Sequence, residues 1–262
     1  MKVLLAEDNA VNRALAKKLL EKHGHTVVLA ENGREVLDAL SRETVDLVLM
    51  DLQMPAMDGL EAIAAVRKKE MGTGVHLPIV ALTAHAMKGD RERCLAAGAD
   101  DYLTKPIHTP ALFATLERIR TAKIAKGSAP TTAPTTATAA PTATNATTSS
   151  LDMVGALQRV EGDSELLEEI ARIFVDECAK IIAEIRGALH APDARLLEQS
   201  AHRLKGSSSN LGAKSLAQSA SELELMARAG DLRSARLQFN TVEAEVSKLF
   251  LELEAISRKV AR

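Results

Sequence analysis

In the first half of the chain, short apolar runs at residues 3–6, 27–30, 47–50, 79–82 and 102–103 alternate with amphipathic stretches. Runs this short and rich in Val, Leu and Ile fit strands buried on both faces, whereas apolar residues three and four apart fit one face of a helix. Leu15, Leu19 and Leu20 mark a first helix, Val36, Leu37 and Leu40 a second, and Leu60, Ile63 and Val66 a third. Leu95 marks a fourth, ended by Gly98, and Leu112, Leu116 and Ile119 a fifth. Five rounds of strand and helix predict an α/β doubly wound, five-stranded parallel sheet with right-handed crossovers. Its functional edge should lie beyond the strand C-termini.

From residue 151 the period is helical throughout. Leu166, Ile170, Ile173, Phe174, Ile181, Ile185 and Leu189 fall on one stripe, and Pro192 with Asp193 restarts the chain as a second helix. Leu197, Ala201, Leu204, Ser208 and Leu211 form the inward face of that helix. Leu216, Ala220, Leu223 and Met226 follow, then, past Gly230, Leu237, Val242, Val246, Leu249 and Leu253. Antiparallel packing of these predicts an all-α four-helix bundle. The Ala/Thr/Pro mixture between the two patterns has almost no large side chain and cannot bury enough surface to fold. The organisation is therefore a domain at 1–122, a flexible linker at 123–150 with a reach of about 30 Å, and a second domain at 151–262.

Composition narrows the function classes. A net charge of -2 supplies no basic field for nucleic acid, and 2% aromatic residues leave few platforms on which bases could stack. Cys94 and Cys178 are far from each other and from ligand-spaced histidines, which argues against a disulfide framework or zinc and for a reducing, cytoplasmic location. The apolar start is interrupted by Glu7 and Asp8, too soon for a secretory signal, and no run reaches the roughly 18 residues of a membrane span. No direct membrane insertion is expected. Met54, Met57 and Met87 read as packing.

Three acidic residues stand at strand ends: Glu7 and Asp8 after the first, Asp51 after the third. Converging carboxylates repel one another unless a cation intervenes, and hard oxygen ligands suit Mg²⁺. Thr83 ends the fourth strand and Lys105 follows the fifth, adding a hydroxyl and an ammonium at the same edge. A carboxylate nucleophile with cations on the equatorial oxygens suits phosphoryl transfer. A lone aspartate at a strand end is usually a helix cap; five placed groups are not so explained.

The sequences Leu-Ala-Glu-Asp-Asn at 5–9, Met-Asp-Leu-Gln-Met-Pro-Ala-Met-Asp-Gly at 50–59, Ala-Leu-Thr-Ala at 81–84 and Asp-Tyr-Leu-Thr-Lys-Pro at 101–106 resemble the receiver domain of response regulators. That resemblance implies a flavodoxin-like fold with Asp51 as phosphoacceptor. It implies that Asp8, Asp51 and the main-chain oxygen of Gln53 bind Mg²⁺, that Glu7 does so through water, and that Lys105 holds the phosphoryl group. It also implies a switch pair, Thr83 and Tyr102, and a cis Lys105–Pro106 peptide. Without the resemblance, Tyr102 reads as a core residue with its hydroxyl at the rim.

Seven histidines occur, and His23, His25, His76, His85, His108 and His190 lie near turns and read as solvated. His202 differs in its neighbours. On a helix it shares a face with Lys205, Gly206 and Ser209, about 100° from the core stripe, so its imidazole is expected to face solvent. Gly206 costs about 1 kcal/mol in a helix interior, and bare backbone there would clear room for a phosphorylated ring and its partner. The stretch His-Arg-Leu-Lys-Gly-Ser-Ser-Ser-Asn-Leu-Gly-Ala at 202–213 resembles histidine-containing phosphotransfer (HPt) domains. By that resemblance His202 is a phosphoacceptor supported by Lys205, Gly206 and Ser209, with no metal of its own.

Together these readings predict two-component phosphorelay signal transduction: a sensor histidine kinase upstream, Asp51, His202, and a response-regulator receiver downstream. Docking within one chain and between chains both fit the linker. A second reading makes the bundle a phosphorylation-switched docking module in which His202 never turns over. A phosphohydrolase is disfavoured because its usual second aspartate is Gln53 here. No nucleotide-binding kinase segment is visible, so the phosphate must come from outside. Receiver followed by HPt is the order at the C-terminus of hybrid sensor kinases, so the chain reads as a separate protein or a piece of one, Met1 favouring the former.

Overall fold

The computed structural model describes residues 1–83, 88–125 and 151–260. Most of the expected linker, together with His85 and Met87, lies outside the described residues. Five parallel strands, β1 (Lys2–Ala6), β2 (Thr26–Ala30), β3 (Leu47–Asp51), β4 (Ile79–Thr83) and β5 (Asp101–Thr104), run in the order β2-β1-β3-β4-β5. Helices α1 (Ala10–Lys22), α2 (Gly33–Arg42), α3 (Gly59–Glu70), α4 (Lys88–Ala96) and α5 (Thr109–Ala125) follow the successive strands. The last of these runs three residues past the expected boundary at 122.

Strand alternation divides the core. Val3, Leu5, Leu47 and Leu49 face α1 and α5 through Ala16, Leu20, Leu112 and Leu116. Leu4, Ala6, Val48 and Met50 face α2, α3 and α4 through Val36, Ile63, Val66 and Cys94. Both sheet faces are thus covered, which is why the strands read as continuous apolar runs. Among the described side chains of α4, Cys94 is buried, whereas Leu95 is 36% exposed.

The second region holds a short α6 (Met153–Arg159) and four long helices, α7 (Ser164–His190), α8 (Ala194–Leu211), α9 (Lys214–Arg228) and α10 (Leu232–Val260). The N-caps Asp163 and Asp193 accept main-chain N–H groups from Leu166 and Leu196, so each long helix restarts where a side chain satisfies its first turn. Gly212, at φ +85°, ends α8. The bundle core contains the expected stripes, with one correction. Leu237 is 70% exposed, and Ala235 and Phe239 pack inward in its place, because α10 starts at Leu232 and that phase turns position 237 outward.

Helix α1 is buried on two sides. Ala16 and Leu20 pack on the sheet, while Val11, Leu15 and Leu19, four residues apart, join the apolar core of the bundle beside α7. Burying three such side chains contributes on the order of 1.5–3 kcal/mol each before ordering costs. Lys18 to Glu169 at 3.1 Å and Lys22 to Glu161 at 3.4 Å ring this contact. No helix among the described residues is long and apolar enough to cross a membrane.

Candidate functional site

Glu7, Asp8 and Asp51 meet at the carboxyl edge of the sheet, each offering an oxygen within 4.8 Å of the others. The loop after Asp51 folds back so tightly that a Cβ on Gly59 would lie 2.1 Å from the Asp51 carbonyl oxygen. That loop is held by the Asp58 capping box of α3, and the Gln53 N–H donates to Asp51 Oδ1 at 3.1 Å. Lys105, which directly follows β5 and is joined to Pro106 by a cis bond, donates from Nζ to Asp51 Oδ2 at 2.7 Å. Its Nζ also lies 2.6 Å from Glu7 Oε2, an ion-pair distance without hydrogen-bond alignment.

Two buried carboxylates and the half-buried Asp8, against one ammonium among the described residues, leave the site short of positive charge. Burial raises Asp51 to about 7; Lys105 opposes this, and Glu7 and Asp8 add to it. Asp8 also rises to about 7, first through burial and then through the charge of Glu7. For Lys105, burial alone would lower the ammonium, but Asp51 and Glu7 outweigh it and hold it above its ordinary value. Hard carboxylate oxygens gathered this closely, whose charge is costly to hold there, fit a divalent cation. Thr83 is buried and lines the same cleft. Tyr102 sits opposite Ala81 in the sheet register, half-buried, with the Arg91 guanidinium 5.8 Å from its ring centre.

His202 also lines that cleft, together with Arg203, Asp8 and Asp51. The expectation that its imidazole faces solvent is wrong: the residue is 9% exposed. Two partners absent from helix-face reasoning cover it. Glu224 on α9 takes Nδ1 at 3.1 Å, and α1 with the Glu7–Asp8 turn roofs the α8 face on which it stands. Lys205 donates to Glu224 Oε2 at 3.1 Å, and Arg228 Nη2 donates to Oε1 at 3.0 Å. Burial would raise Glu224, but the His202 hydrogen bond and charge, then Lys205, hold it at about 2. Gly206 and Ser209 lie along the seam between the two regions. A Cβ on Gly206 would stand 3.1 Å from Asn12 Nδ2, so the glycine clears room for α1.

The family model of the response regulator receiver domain matches residues 3–117, and that of the Hpt domain matches residues 169–254. The chain carries a receiver domain followed by an Hpt domain. The chain is similar to the sensory/regulatory protein RpfC of Xanthomonas campestris, 31% identical over 87% of this chain and 30% of that protein. Against the signal transduction histidine-protein kinase BarA of Escherichia coli it is 28% identical over its whole length and 27% of that kinase. The receiver is 40% identical to that of sensor histidine kinase PA1611 from Pseudomonas aeruginosa, a structure described with a coordinated magnesium ion; TM-score 0.41, covering 45% of this chain and 94% of that one. The chain spans between 7% and 30% of the length of the first relatives it matches. A receiver joined to an Hpt domain, with histidine kinases as relatives, works in two-component phosphorelay signalling. Receiver domains typically bind Mg²⁺.

Sequence reading left out Glu224, Asn9, Asn12 and Asn210. Glu224 has Arg228 four positions on, but nothing in its own helix points to the histidine, and the α8–α9 packing brings it to His202. Other histidines also have partners, contrary to expectation; His190 Nδ1 lies 3.0 Å from the Arg186 carbonyl oxygen. His23 Nε2 lies 2.8 Å from Glu161 and its ring stacks on Phe113, and His76 Nε2 lies 2.5 Å from Asp100.

Proposed function

We propose that Asp51 accepts a phosphoryl group from a sensor histidine kinase and passes it to His202, from which a separate response-regulator receiver collects it. The observation that carries this reading is that Asp51 and His202 line one cleft, each with its own charged support. In the first step an Asp51 oxygen attacks phosphorus and the donor's P–N or P–O bond breaks, its electron pair leaving with the donor. In the second, the His202 Nε2 lone pair attacks phosphorus, the acyl P–O bond breaks, and its electron pair returns to the Asp51 carboxylate. Glu224 accepts from Nδ1–H, which leaves Nε2 as the nucleophile and balances the positive charge the ring gains.

Asp8, Asp51 and the main-chain oxygen of Gln53 would hold Mg²⁺, with Glu7 acting through water; when bound, the ion neutralises charge on the phosphoryl oxygens. Lys105 holds one of those oxygens and Thr83 hydrogen-bonds another. Movement of Thr83 toward the phosphoryl group would draw Tyr102 inward as the switch. Lys205 and Ser209 support the histidine face, and Gly206 keeps it clear.

The test is to incubate the chain with Mg²⁺ and a small acyl-phosphate donor. Asp51 should take label first and His202 second, and the Asp51→Asn chain should label at neither site. Label on His202 in that variant would overturn the order, and a His202→Gln chain that still relays would favour a docking module.

A further inference from the structure

Four residues at the domain boundary bear on whose receiver serves His202. Asn9 Oδ1 caps α1 by accepting from the N–H groups of Val11 and Asn12 at 3.0 and 3.1 Å. That use fixes the amide, and its Nδ2 then crosses to the Hpt domain, donating to Arg203 O at 2.8 Å and Ser207 Oγ at 2.7 Å. One turn on, Asn12 Nδ2 donates to Glu7 Oε1 at 2.8 Å, and its Oδ1 accepts from Asn210 Nδ2 at 2.6 Å. Asn9, Asn12, Ser207 and Asn210 are all buried. Val11, Leu15 and Leu19 close the seam on one side, and Gly206 admits Asn12 on the other.

A good buried hydrogen bond contributes modestly, whereas a buried amide facing the wrong partner loses its whole solvation. Paired amides at a buried seam therefore discriminate by penalising mismatches. We propose that Asn9 and Asn12, paired with Ser207 and Asn210, form a polar latch that selects an Hpt domain of this sequence over mismatched ones, and that the linker makes the copy on the same chain the one served, so that phosphoryl passes from Asp51 to His202 within one chain. The proposal rests on the relay reading and names its partner. Because Asn12 also holds Glu7, docking and the acid cluster share one side chain.

The experiment follows label on Asp51 and His202 separately in the full chain, with Mg²⁺ and a small acyl phosphate, over a range of chain concentrations. The first-order rate onto His202 should not change with concentration. Mixing Asp51→Asn chains with His202→Gln chains at about ten micromolar should transfer roughly a hundredfold more slowly than the intact chain, since a tether supplies millimolar effective concentration. Ser207→Ala and Asn210→Ala should each leave Asp51 labelling at the parental rate and slow same-chain transfer roughly tenfold. Asn12→Ala combined with Asn210→Ala should slow that step no more than the slower single change. A rate that rises in proportion to concentration, mixed chains that match the intact one, or additive effects of Asn12 and Asn210 would each overturn the latch while leaving the relay standing. Label that reaches Asp51 and never His202 would end the relay reading, and the latch with it.

Discussion

The acid cluster of the receiver and the histidine site of the Hpt domain use the same parts in opposite balance. At Asp51, three carboxylates face one lysine, and burial carries two of them up to about 7. At Glu224, one carboxylate faces His202, Lys205 and Arg228 and is held at about 2. A carboxylate starved of cations is a place to bring one, and a nucleophile awaiting neutralisation. A carboxylate surrounded by cations is a fixed anion, suited to orient an imidazole. Proximity of a lysine to an acid therefore says little until the charges around both are summed.

That contrast predicts its largest effect at Lys105. Lys105→Ala removes the ammonium paired with Asp51 and Glu7, and labelling of Asp51 by a small acyl phosphate should fall by about 10²–10³. Labelling as fast as in the parent chain would erase the distinction between the sites. Next comes Glu224→Ala, which strips His202, Lys205 and Arg228 of a shared acceptor. Asp51 labelling should hold, while transfer to His202 drops roughly tenfold to a hundredfold, a loss of about 1–3 kcal/mol. Glu224→Gln keeps an oxygen for Nδ1 and should recover part of the rate in a rapid-quench measurement; no difference between Ala and Gln would rule out the orienting role.

A pH series sharpens the same point. Glu224 lies below its ordinary 4.5 in the folded chain, so its contribution to stability is present above about 4.5 and is lost as pH falls through about 2. The gap in urea midpoint between the parent and Glu224→Gln should stay level at higher pH and close toward pH 2. A gap unchanged at pH 2 would mean that charge is not its source. The smallest effect belongs to the rim: Lys18→Ala, breaking an exposed pair with Glu169, should cost less than about 1 kcal/mol and vanish in high salt. A larger, salt-resistant loss would show that the rim, rather than the buried seam, holds the domains.

The strands were legible because a sheet buried on both faces must be apolar residue after residue, and the acid cluster because chain topology brings strand ends together. Helix phase carried less. It placed Leu204 and Leu223 inside but missed Leu237, whose orientation depends on where α10 begins. It also turned His202 to solvent, since helical spacing knows only one element's neighbours, and Glu224 and α1 arrive from elsewhere in the chain. Gly206 was recognised as a clearing, yet what fills it, Asn12, lies almost two hundred residues away.

The apolar strip of Val11, Leu15 and Leu19 already occupies the bundle beside His202. A visiting receiver that needs this face must compete with the resident, and the two take turns. The resident's abundance is set by a covalent connection and not by expression level, so it returns after every departure at the same odds. Insulation from chance encounters is thereby built into the chain, and the output rate belongs as much to the resident's leaving as to the visitor's arrival.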